Sequence, residues 1–406
     1  MKTILIIGAG DFQLPLVQRA AQRYEVALAA PEIGAAFQPY LTHSLLTDVR
    51  NQSEILRFAR ELEVCGVITD QTDVAVRTVA YVAEQLGLPG IGYETSCLFT
   101  DKRLMREKMA QLGIPQLPNR TVYSLREAAA YYAELGGEVI IKPLDTQGSR
   151  GVQHCGSWSE LAQKYPETSR WSSDGGVIIE RFATGREFVV EGLALGGSFR
   201  NLICGDTHYF DLPDAFAAKS RIFPTTAETE LAERVCALNT RIITGFGLKQ
   251  GITHSEFIMD GDQIYLMETA ARGGGVYISS DLIHLSTGLC TEDFLLDIAE
   301  GVCAEVPELL PQQCVCGYMA FFIPVGTVRS VRGVARVQAL PWVYRNQLDR
   351  LRPGYTVQAN TDKTSRLALI LSAGSHEELQ RRMERVQNLL QVQVETEDGI
   401  QGLIWA

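Results

Sequence analysis

The chain has 406 residues, of which 46% are hydrophobic and 21% are charged, and its 48 acidic residues outnumber 37 basic ones to give a net charge of −11. This apolar content excludes intrinsic disorder, and the length predicts two to three domains. The sequence has no cluster of Lys or Arg and no run of about 18 apolar residues, so we expect neither nucleic-acid binding nor a membrane span.

The first residues place a lysine before a short apolar run that ends at Gly8. A signal peptide needs about 7–15 apolar residues, so we interpret this run as a buried first strand. Nine cysteines in a chain of this length are too sparse for a disulfide scaffold. Cys314 and Cys316 lie in a Val/Tyr-rich run and are more simply strand residues than a metal pair. We therefore expect a cytoplasmic protein with reduced thiols.

The first hundred residues alternate between strand-like and helix-like segments. In chain order we predict a strand at Ile4–Ile7, a helix near Leu14–Arg23, a strand at Val26–Ala30, a helix near Ser53–Leu62, a strand at Gly66–Thr69 and a helix to Leu86. Such alternation is typical of a parallel sheet that is covered on both faces.

Two loops of this region could contact a ligand. Gly8 and Gly10 supply only two of the three glycines of a dinucleotide fingerprint, so we favour a tight turn that faces some small ligand. Asp70 and Asp73 follow the strand at Gly66–Thr69, at the edge where open α/β sheets place ligand contacts. Capping of the next helix explains these two residues equally well.

Cap signals divide the rest of the chain into elements. Thr100 is a plausible N-cap for a helix that stops at Gly113. Ser-x-x-Glu capping boxes predict three further helix starts, at Ser124, Ser157 and Ser375. Between residues 315 and 371, strand-like runs alternate with Gly/Pro turns, which indicates a largely β C-terminal part.

A possible phosphate site follows the predicted strand at 138–143. Lys142 lies on this apolar strand, where an unpaired ammonium group is costly, and the turn Gly148–Gly151 offers flexible backbone N–H groups to anionic oxygens. A lysine beside a mobile glycine loop is one way to close over a triphosphate. A strand-end lysine next to a hairpin turn, with no ligand, is the alternative.

Residues 255–272 give the stronger chemical signal. Two strand-like runs flank the turn Asp260–Asp262, so a hairpin can place Glu256 opposite Glu268. Two neighbouring carboxylates repel each other unless a divalent cation lies between them, and Mg²⁺ suits such an all-oxygen site. Arg272 lies four residues beyond Glu268. It precedes three glycines, which allow the backbone to approach an anion closely. Solvated edge carboxylates remain the alternative.

These segments occur in the order in which they stand in the ATP-grasp superfamily, which the sequence resembles along its whole length. The resemblance rests on Asp101–Arg106 with Leu112–Pro115, on Lys142 and Gly148–Gly151, on Val177–Phe182, and on Glu256 with Glu268 and Arg272. It implies an α/β fold in four parts: an N-terminal parallel-sheet (pre-ATP-grasp) domain over residues 1–98, a grasp lobe A with the glycine loop over 99–178, a grasp lobe B with the metal site over 179–314, and a small α+β, β-rich C-terminal part over 315–406.

The resemblance also implies roles for single residues. Those implied for ATP binding are phosphate contacts by Lys102, Lys142, Gly148, Ser149 and Gly151, adenine-edge contacts by Glu180 and Phe182, ribose contacts by Glu187, and adenine packing by Leu266, unless Leu266 is plain core. Those implied for the metal and the reaction are Mg²⁺ (or Mn²⁺) binding by Glu256 and Glu268, stabilisation of the acyl phosphate by Arg272, and substrate carboxyl binding by Arg272 with Gly274 and Gly275.

Members of the superfamily activate a carboxylate with ATP, and an amine then displaces phosphate. Ala270 stands where biotin carboxylase and carbamoyl-phosphate synthetase carry Asn, and the glycines after Arg272 look more like the L-amino acid ligase (dipeptide synthetase) branch. The resemblance therefore implies small-molecule carboxylate and amine substrates and a homodimer. A purine or one-carbon ATP-grasp enzyme and a non-catalytic nucleotide-binding protein are the alternatives.

Three more residues stay open at this point. His254 lies two residues before Glu256. It either faces the substrate or is a structural histidine whose hydrogen bonds are satisfied within the fold. Lys219 and Arg221 lie in a segment rich in Asp, Pro and Phe, Asp211–Pro224, which we interpret as a mobile cover over the acceptor substrate or as a solvated loop.

Overall fold

The computed structural model describes residues 1–212, 216–302, 308–309, 312, 314–359 and 365–405. The helices in these ranges are α1 Leu14–Ala20, α2 Gln52–Glu61, α3 Val76–Gln85, α4 Tyr93–Leu98, α5 Lys102–Gln111, α6 Leu125–Leu135, α7 Trp158–Trp171, α8 Thr229–Gly245, α9 Ile283–Thr287, α10 Thr291–Glu300, α11 Val334–Gln338 and α12 His376–Leu389. The strands are β1 Thr3–Ile7, β2 Glu25–Ala30, β3 His43–Leu46, β4 Gly66–Ile68, β5 Asn119–Val122, β6 Val139–Pro143, β7 Gln153–Cys155, β8 Val177–Arg181, β9 Arg186–Leu195, β10 Ser198–Tyr209, β11 Ala218–Phe223, β12 Gly251–Asp260, β13 Gln263–Ala270, β14 Val315–Phe322, β15 Gly326–Arg332, β16 Val343–Asn346, β17 Thr356–Val357, β18 Arg366–Ala373, β19 Gln391–Thr396 and β20 Gly399–Gln401.

The N-terminal domain is the predicted parallel sheet, with strand order β3–β2–β1–β4. All five residues of β1 are buried, because side chains on both faces of the sheet meet helices. Leu5 and Ile7 pack with residues of α2 and α3, whereas Ile4 and Ile6 pack with residues of α1 and α10. Both faces of the sheet are therefore covered, as the alternation of strands and helices predicts.

The loop after β1 is a tight turn that the chain fills itself. The Gln13 side chain accepts a hydrogen bond from Gly10 N at 2.5 Å and donates one to Asp70 O at 2.8 Å. Gly8 has a positive φ of 108°, which its lack of a side chain allows. The backbone N–H of Gly10 already has a partner, so this turn has no dinucleotide-type phosphate cradle at that group.

Two antiparallel sheets follow. Lobe A has the order β5–β8–β6–β7, and lobe B forms an eight-stranded sheet, β13–β12–β9–β10–β11–β14–β18–β16. A further sheet, β17–β15–β19–β20, completes the β-rich C-terminal part. β8 pairs with β5 and β6 along its length, so we propose that lobe A extends to Arg181 and does not end at residue 178. The C-terminal part adds β14, β16 and β18 to the lobe B sheet.

Most of the helix starts agree with the cap signals. Ser124, Ser157 and Ser375 each accept a hydrogen bond from the N–H of the glutamate three residues later. The predicted cap at Thr100 is wrong by one residue, because the Asp101 carboxylate caps α5 by accepting from the N–H groups of the two residues after Lys102.

The segment Asp211–Pro224 is not a loop throughout. Lys219 and Arg221 belong to β11, which pairs with β10 and β14, so the prediction of a mobile cover is wrong for these two residues. Residues 213–215 of the segment lie outside the described residues. Across the described ranges, no helix combines the length and the apolar character that crossing a membrane requires.

Candidate active site

Both predicted phosphate lysines are buried, and a glutamate neutralises each of them. α5 begins with Lys102, whose Nζ lies 2.9 Å from Glu268 Oε1 and donates to Thr146 O at 3.0 Å. Lys142 projects from β6, and its Nζ lies 2.5 Å from Glu180 Oε2. Lys102 therefore approaches Thr146 and lobe B, whereas Lys142 contacts Glu180 within lobe A, and both are cations that anionic phosphate oxygens would attract.

Glu180 is the centre of a buried ion cluster. Its side chain is 1% exposed and receives hydrogen bonds from Lys142 and, at 2.6 Å, from Arg106 Nε. Burial raises the pKa of this carboxyl, but the charges and hydrogen bonds of Arg106 and Lys142 outweigh it and hold the pKa at about 2. Arg106 also donates to Met267 O at 2.7 Å, so this cluster connects lobe A to the β12–β13 hairpin.

The glycine loop contacts both neighbouring parts of the chain. Gly148, Ser149 and Gly151 all have positive φ angles, of 65°, 59° and 73°. Ser149 Oγ donates to Phe216 O at 2.9 Å, and the side chain of the neighbouring Gln147 accepts from the backbone N–H of Asp73 at 2.6 Å. The loop is therefore held between the N-terminal domain and the residues before β11.

The hairpin places the two predicted metal carboxylates opposite each other. Glu256 and Glu268 are register partners on β12 and β13. Glu256 accepts hydrogen bonds from Arg221 and from His254 Nε2, the latter at 3.0 Å. Burial raises the pKa of Glu256, but the positive charges of Arg221 and His254 outweigh it and hold the pKa well below its ordinary value. Neither carboxylate is an unpaired edge residue.

The donor set of these carboxylates fits a magnesium ion that also binds phosphate. Their side chains keep 26% and 41% of their exposure, so oxygen lone pairs of Glu256 and Glu268 remain accessible. Among the described residues, no group of three or more His, Cys, Asp or Glu side chains could hold a metal. Mg²⁺ is commonly held by one or two carboxylates with substrate phosphates completing its shell, and two carboxylates are what this hairpin offers.

A buried Glu–His pair, which the sequence analysis missed in part, links this hairpin to the glycines after Arg272. Glu191 is fully buried on β9, accepts from Gly274 N at 2.9 Å and is hydrogen-bonded to His254 Nδ1. His254 Nε2 in turn faces Glu256. A Cβ on Gly274 would lie 2.5 Å from Glu191 Oε1, so only glycine fits there. A carboxylate in an apolar strand is costly to bury unless it is paired. The position of Glu191 within an apolar run could therefore have indicated a buried partner.

Arg272 is joined to the N-terminal domain by a two-pronged ion pair. Its Nε and Nη2 donate to the two oxygens of Asp73 at 2.9 and 2.8 Å. Burial lowers the pKa of Arg272, but Asp73 outweighs this and raises it. Asp70 accepts from Gly273 N at 2.9 Å, and burial raises the Asp70 pKa to about 6. Both aspartates at the sheet edge therefore contact the predicted catalytic segment.

The remaining predicted residues have less specific surroundings. Glu187 accepts from Tyr209 OH at 2.7 Å, and burial raises its pKa to about 7. The Phe182 ring lies 4.3 Å from that of His154, between ring centroids. Leu266 is 3% exposed and packs in a core cluster with residues of α5 and α8, and adenine packing by Leu266 stays a prediction.

Two family models match the chain. Residues 135–281 match the ATP-grasp domain, and residues 319–395 match the L-amino acid ligase C-terminal domain 2. An uncharacterized protein of Sinorhizobium fredii, y4rH, is 26% identical over 79% of this chain and 66% of its own length. The alanine–anticapsin ligase of Bacillus subtilis is 25% identical over 62% of this chain and 58% of its own length. The matched region thus spans about three fifths to two thirds of these curated relatives.

Solved structures share the fold along nearly the whole chain. An L-amino acid ligase from Bacillus licheniformis superposes with a TM-score of 0.81 at 21% identity, covering 98% of this chain and 99% of that one. The biotin carboxylase domain of the Hydrogenobacter thermophilus 2-oxoglutarate carboxylase, solved with MgADP and bicarbonate, has a TM-score of 0.78 at 17% identity and covers 99% and 91%. The chain therefore has the ATP-grasp fold, with a match to the ATP-grasp domain over residues 135–281 followed by a match to the L-amino acid ligase C-terminal domain 2 over residues 319–395.

Proposed function

We propose that the protein is an ATP-dependent carboxylate–amine ligase of the dipeptide-forming type. It would convert a carboxylate to an acyl phosphate, and an amine would then displace phosphate to form an amide, with release of ADP. The observation that carries the proposal is the pairing of Glu256 with Glu268 next to the buried Lys102. The L-amino acid ligase domain match and the alanine–anticapsin ligase relative support an amino-acid-like substrate pair.

In this proposal, different residues of the chain bind the phosphates, hold the metal and stabilise the developing charge. Lys102, Lys142 and the N–H groups of the glycine loop bind the phosphates of ATP and exclude water from them. Glu256 and Glu268 hold Mg²⁺, which when bound neutralises phosphate charge. Arg272 stabilises the negative charge that develops on the activated carboxylate, a role in which one well-placed donor contributes about 10²–10³ in rate.

Phosphate release from ATP and Mg²⁺ tests this function. Carboxylates are supplied singly and in pairs with amino acids, and bicarbonate with an aminoimidazole nucleotide forms a separate arm. We expect release that needs two amino acids and a product whose mass is their sum less water. Release with the bicarbonate arm alone would move the protein to the purine type, and nucleotide binding without any substrate-dependent ADP production would favour a non-catalytic role.

Arg272→Ala tests the assigned catalytic role. We expect ATP binding to persist while turnover falls by about 10² or more. Unchanged turnover in this variant would remove Arg272 from the mechanism. The proposal also includes small-molecule carboxylate and amine partners, a homodimer and a cytoplasmic location. The molar mass in solution tests whether the protein is a homodimer.

A further inference from the structure

A cavity of about 530 Å³ lies between the N-terminal domain and lobe A. It runs along the carboxyl edge of the parallel sheet, because it is lined by Arg50 after β3 and by Asp73 and Arg77 after β4. Open α/β sheets bind ligands at this edge. Lobe A contributes the glycine loop and the end of α7, and Glu268 of the hairpin also lines the cavity. The cavity therefore reaches the carboxylate pair described above.

Guanidinium groups dominate the charge of this cavity. The lining arginines are Arg50, Arg77, Arg150 and Arg170. No hydrogen bond or ion pair joins the side chains of Arg50 and Arg170 to any described residue. Arg77 donates from Nε to Thr100 at 2.5 Å, and its Nη2 lies 3.7 Å from Asp101 Oδ2 but has no hydrogen-bond partner in the described chain. Guanidinium groups with free donors favour an anionic ligand.

Two of the three acidic side chains of the cavity are neutralised by cations other than these arginines. Asp73 binds Arg272 and Glu268 binds Lys102, whereas Asp145 accepts only a backbone N–H within the described ranges, at 3.1 Å, and keeps its charge. Arg77 is partly neutralised by Asp101, but the arginines still outnumber the carboxylate that remains, so net positive charge faces the cavity. It would repel an ammonium group but attract a carboxylate, which fits a guanidinium with two parallel hydrogen bonds.

We propose that this cavity binds the carboxylate of the amine substrate, with Arg50, Arg77 and Arg170 as its ligands. The acceptor is then an α-amino acid or another amine that carries a carboxylate. This inference rests on the proposed function for the identity of its ligand. The triphosphate has its own cations in Lys102 and Lys142, so these arginines are left for a second anionic molecule. The nearby rings of Tyr93, Phe99 and Trp171 supply apolar wall for its side chain.

The test compares amino acids with their amides in the wild type and in the double variant Arg50→Gln/Arg170→Gln. Both residues are exposed and unpaired in the described structure, so we expect the variant to fold normally. With the carboxylate substrate that supports ADP release, the KM of the acceptor amino acid should rise about tenfold or more, and the KM of ATP should not change. The amide should be a poor acceptor in both proteins.

A binding readout separates this inference from the ligase function. Trp171 lines the cavity, so its fluorescence reports occupancy without turnover, and Trp171→Phe identifies its share of the signal. Saturable quenching by L-alanine, but not by L-alaninamide, that weakens in the double variant supports the subsite even if no ligation is found. Equal response to acid and amide would overturn it. A rise in the KM of ATP alone would assign the arginines to the nucleotide instead, and 2-aminoethyl phosphate tests for a phosphate-bearing amine.

Arg385→Gln is the matched control for charge. Arg385 is an exposed arginine of α12, remote from the residues that line the cavity. Its removal makes the net charge of the protein, −11, more negative by one unit without touching the cavity. We expect its acceptor KM and its fluorescence titration to equal those of the wild type, and an equal rise in both variants would reduce the effect to general electrostatics.

Discussion

Glu256 and Glu268 face each other across the β12–β13 hairpin, yet each carboxylate is bound by a different cation from a different part of the chain. Arg221 of β11 binds Glu256, and Lys102 of α5 binds Glu268. Like charges directly opposite on neighbouring strands destabilise a sheet, and these two ion pairs offset that repulsion. Glu256 and Glu268 would hold a divalent cation, whose positive charge would also offset this repulsion.

Glu268→Gln tests the metal assignment. The amide removes one negative charge from the pair, so we expect the Mg²⁺ concentration for half-maximal ADP release to rise about tenfold or more. A magnesium titration at saturating ATP measures it. Glu300→Gln, which breaks the surface pair with Lys2, is the matched control and should leave the titration unchanged. An unaltered magnesium requirement in Glu268→Gln would contradict the metal role.

Glu180→Gln tests the buried ion cluster. This change leaves Arg106 and Lys142 buried without their carboxylate, and breaking a buried pair from one side costs about 3–5 kcal/mol of stability. Urea unfolding measures the free energy of unfolding. Glu134→Gln removes an exposed partner of Arg120 and should have little effect. A Glu180 variant as stable as Glu134→Gln would show that the cluster does not stabilise the fold.

Local patterns were enough to predict the hairpin. Alternation of side chains and a short turn predict the two strands, but the register set by the turn would place Met267 opposite Glu256. A bulge between Glu256 and Phe257 shifts the pairing by one residue and brings Glu268 opposite Glu256, and the sequence pattern did not show this bulge. The βαβα rhythm similarly predicts the N-terminal sheet, because both faces of β1 are apolar. These features depend on neighbours along the chain, where periodicity carries the information.

Long-range partners were not predictable in the same way. Glu191 and His254 are 63 residues apart in sequence, and nothing local indicates which buried histidine a strand carboxylate meets. Arg221 was assigned to a loop because Asp, Pro and Phe surround it, but pairing of β11 with β14, almost a hundred residues later, makes it a strand residue. Sheet order, which tertiary packing decides, therefore set the surroundings of the site.

Glu191→Gln tests the link between the hairpin and the glycines. The two oxygens of Glu191 face Gly274 N and His254 Nδ1. A glutamine has only one oxygen, so it can accept from one of these groups while its NH₂ group faces the other. We expect turnover to fall about tenfold while the KM of ATP is unchanged, because the residue positions other groups and does not bind the nucleotide. Steady-state kinetics measure turnover and the KM of ATP. A thermal stability near that of the wild type shows that the variant is folded. A rise in the KM of ATP with unchanged turnover would contradict a positioning role.

Glu292→Gln tests the effect of pH on stability. Glu292 is 5% exposed near Asp70 and Asp281, and burial raises its pKa to about 7. The unfolded value is about 4.3, so between these two values the folded chain binds more protons and its free energy of unfolding falls as pH rises. At pH 8 the variant should be more stable than the wild type by about 3–4 kcal/mol, and near pH 4 the two should agree.

Asp293→Asn, at the next residue, supplies the control with the opposite sign. Its hydrogen bond with Arg19 lowers the pKa of Asp293, so ionised Asp293 stabilises the fold above the unfolded pKa of about 3.9, and this stability is lost only as pH falls below that range. We therefore expect Asp293→Asn to be less stable than the wild type at pH 8. Urea unfolding at pH 4, 6 and 8 measures all three proteins. A Glu292 variant that loses stability at pH 8, as Asp293→Asn does, would mean that Glu292 is ionised and paired in the folded protein.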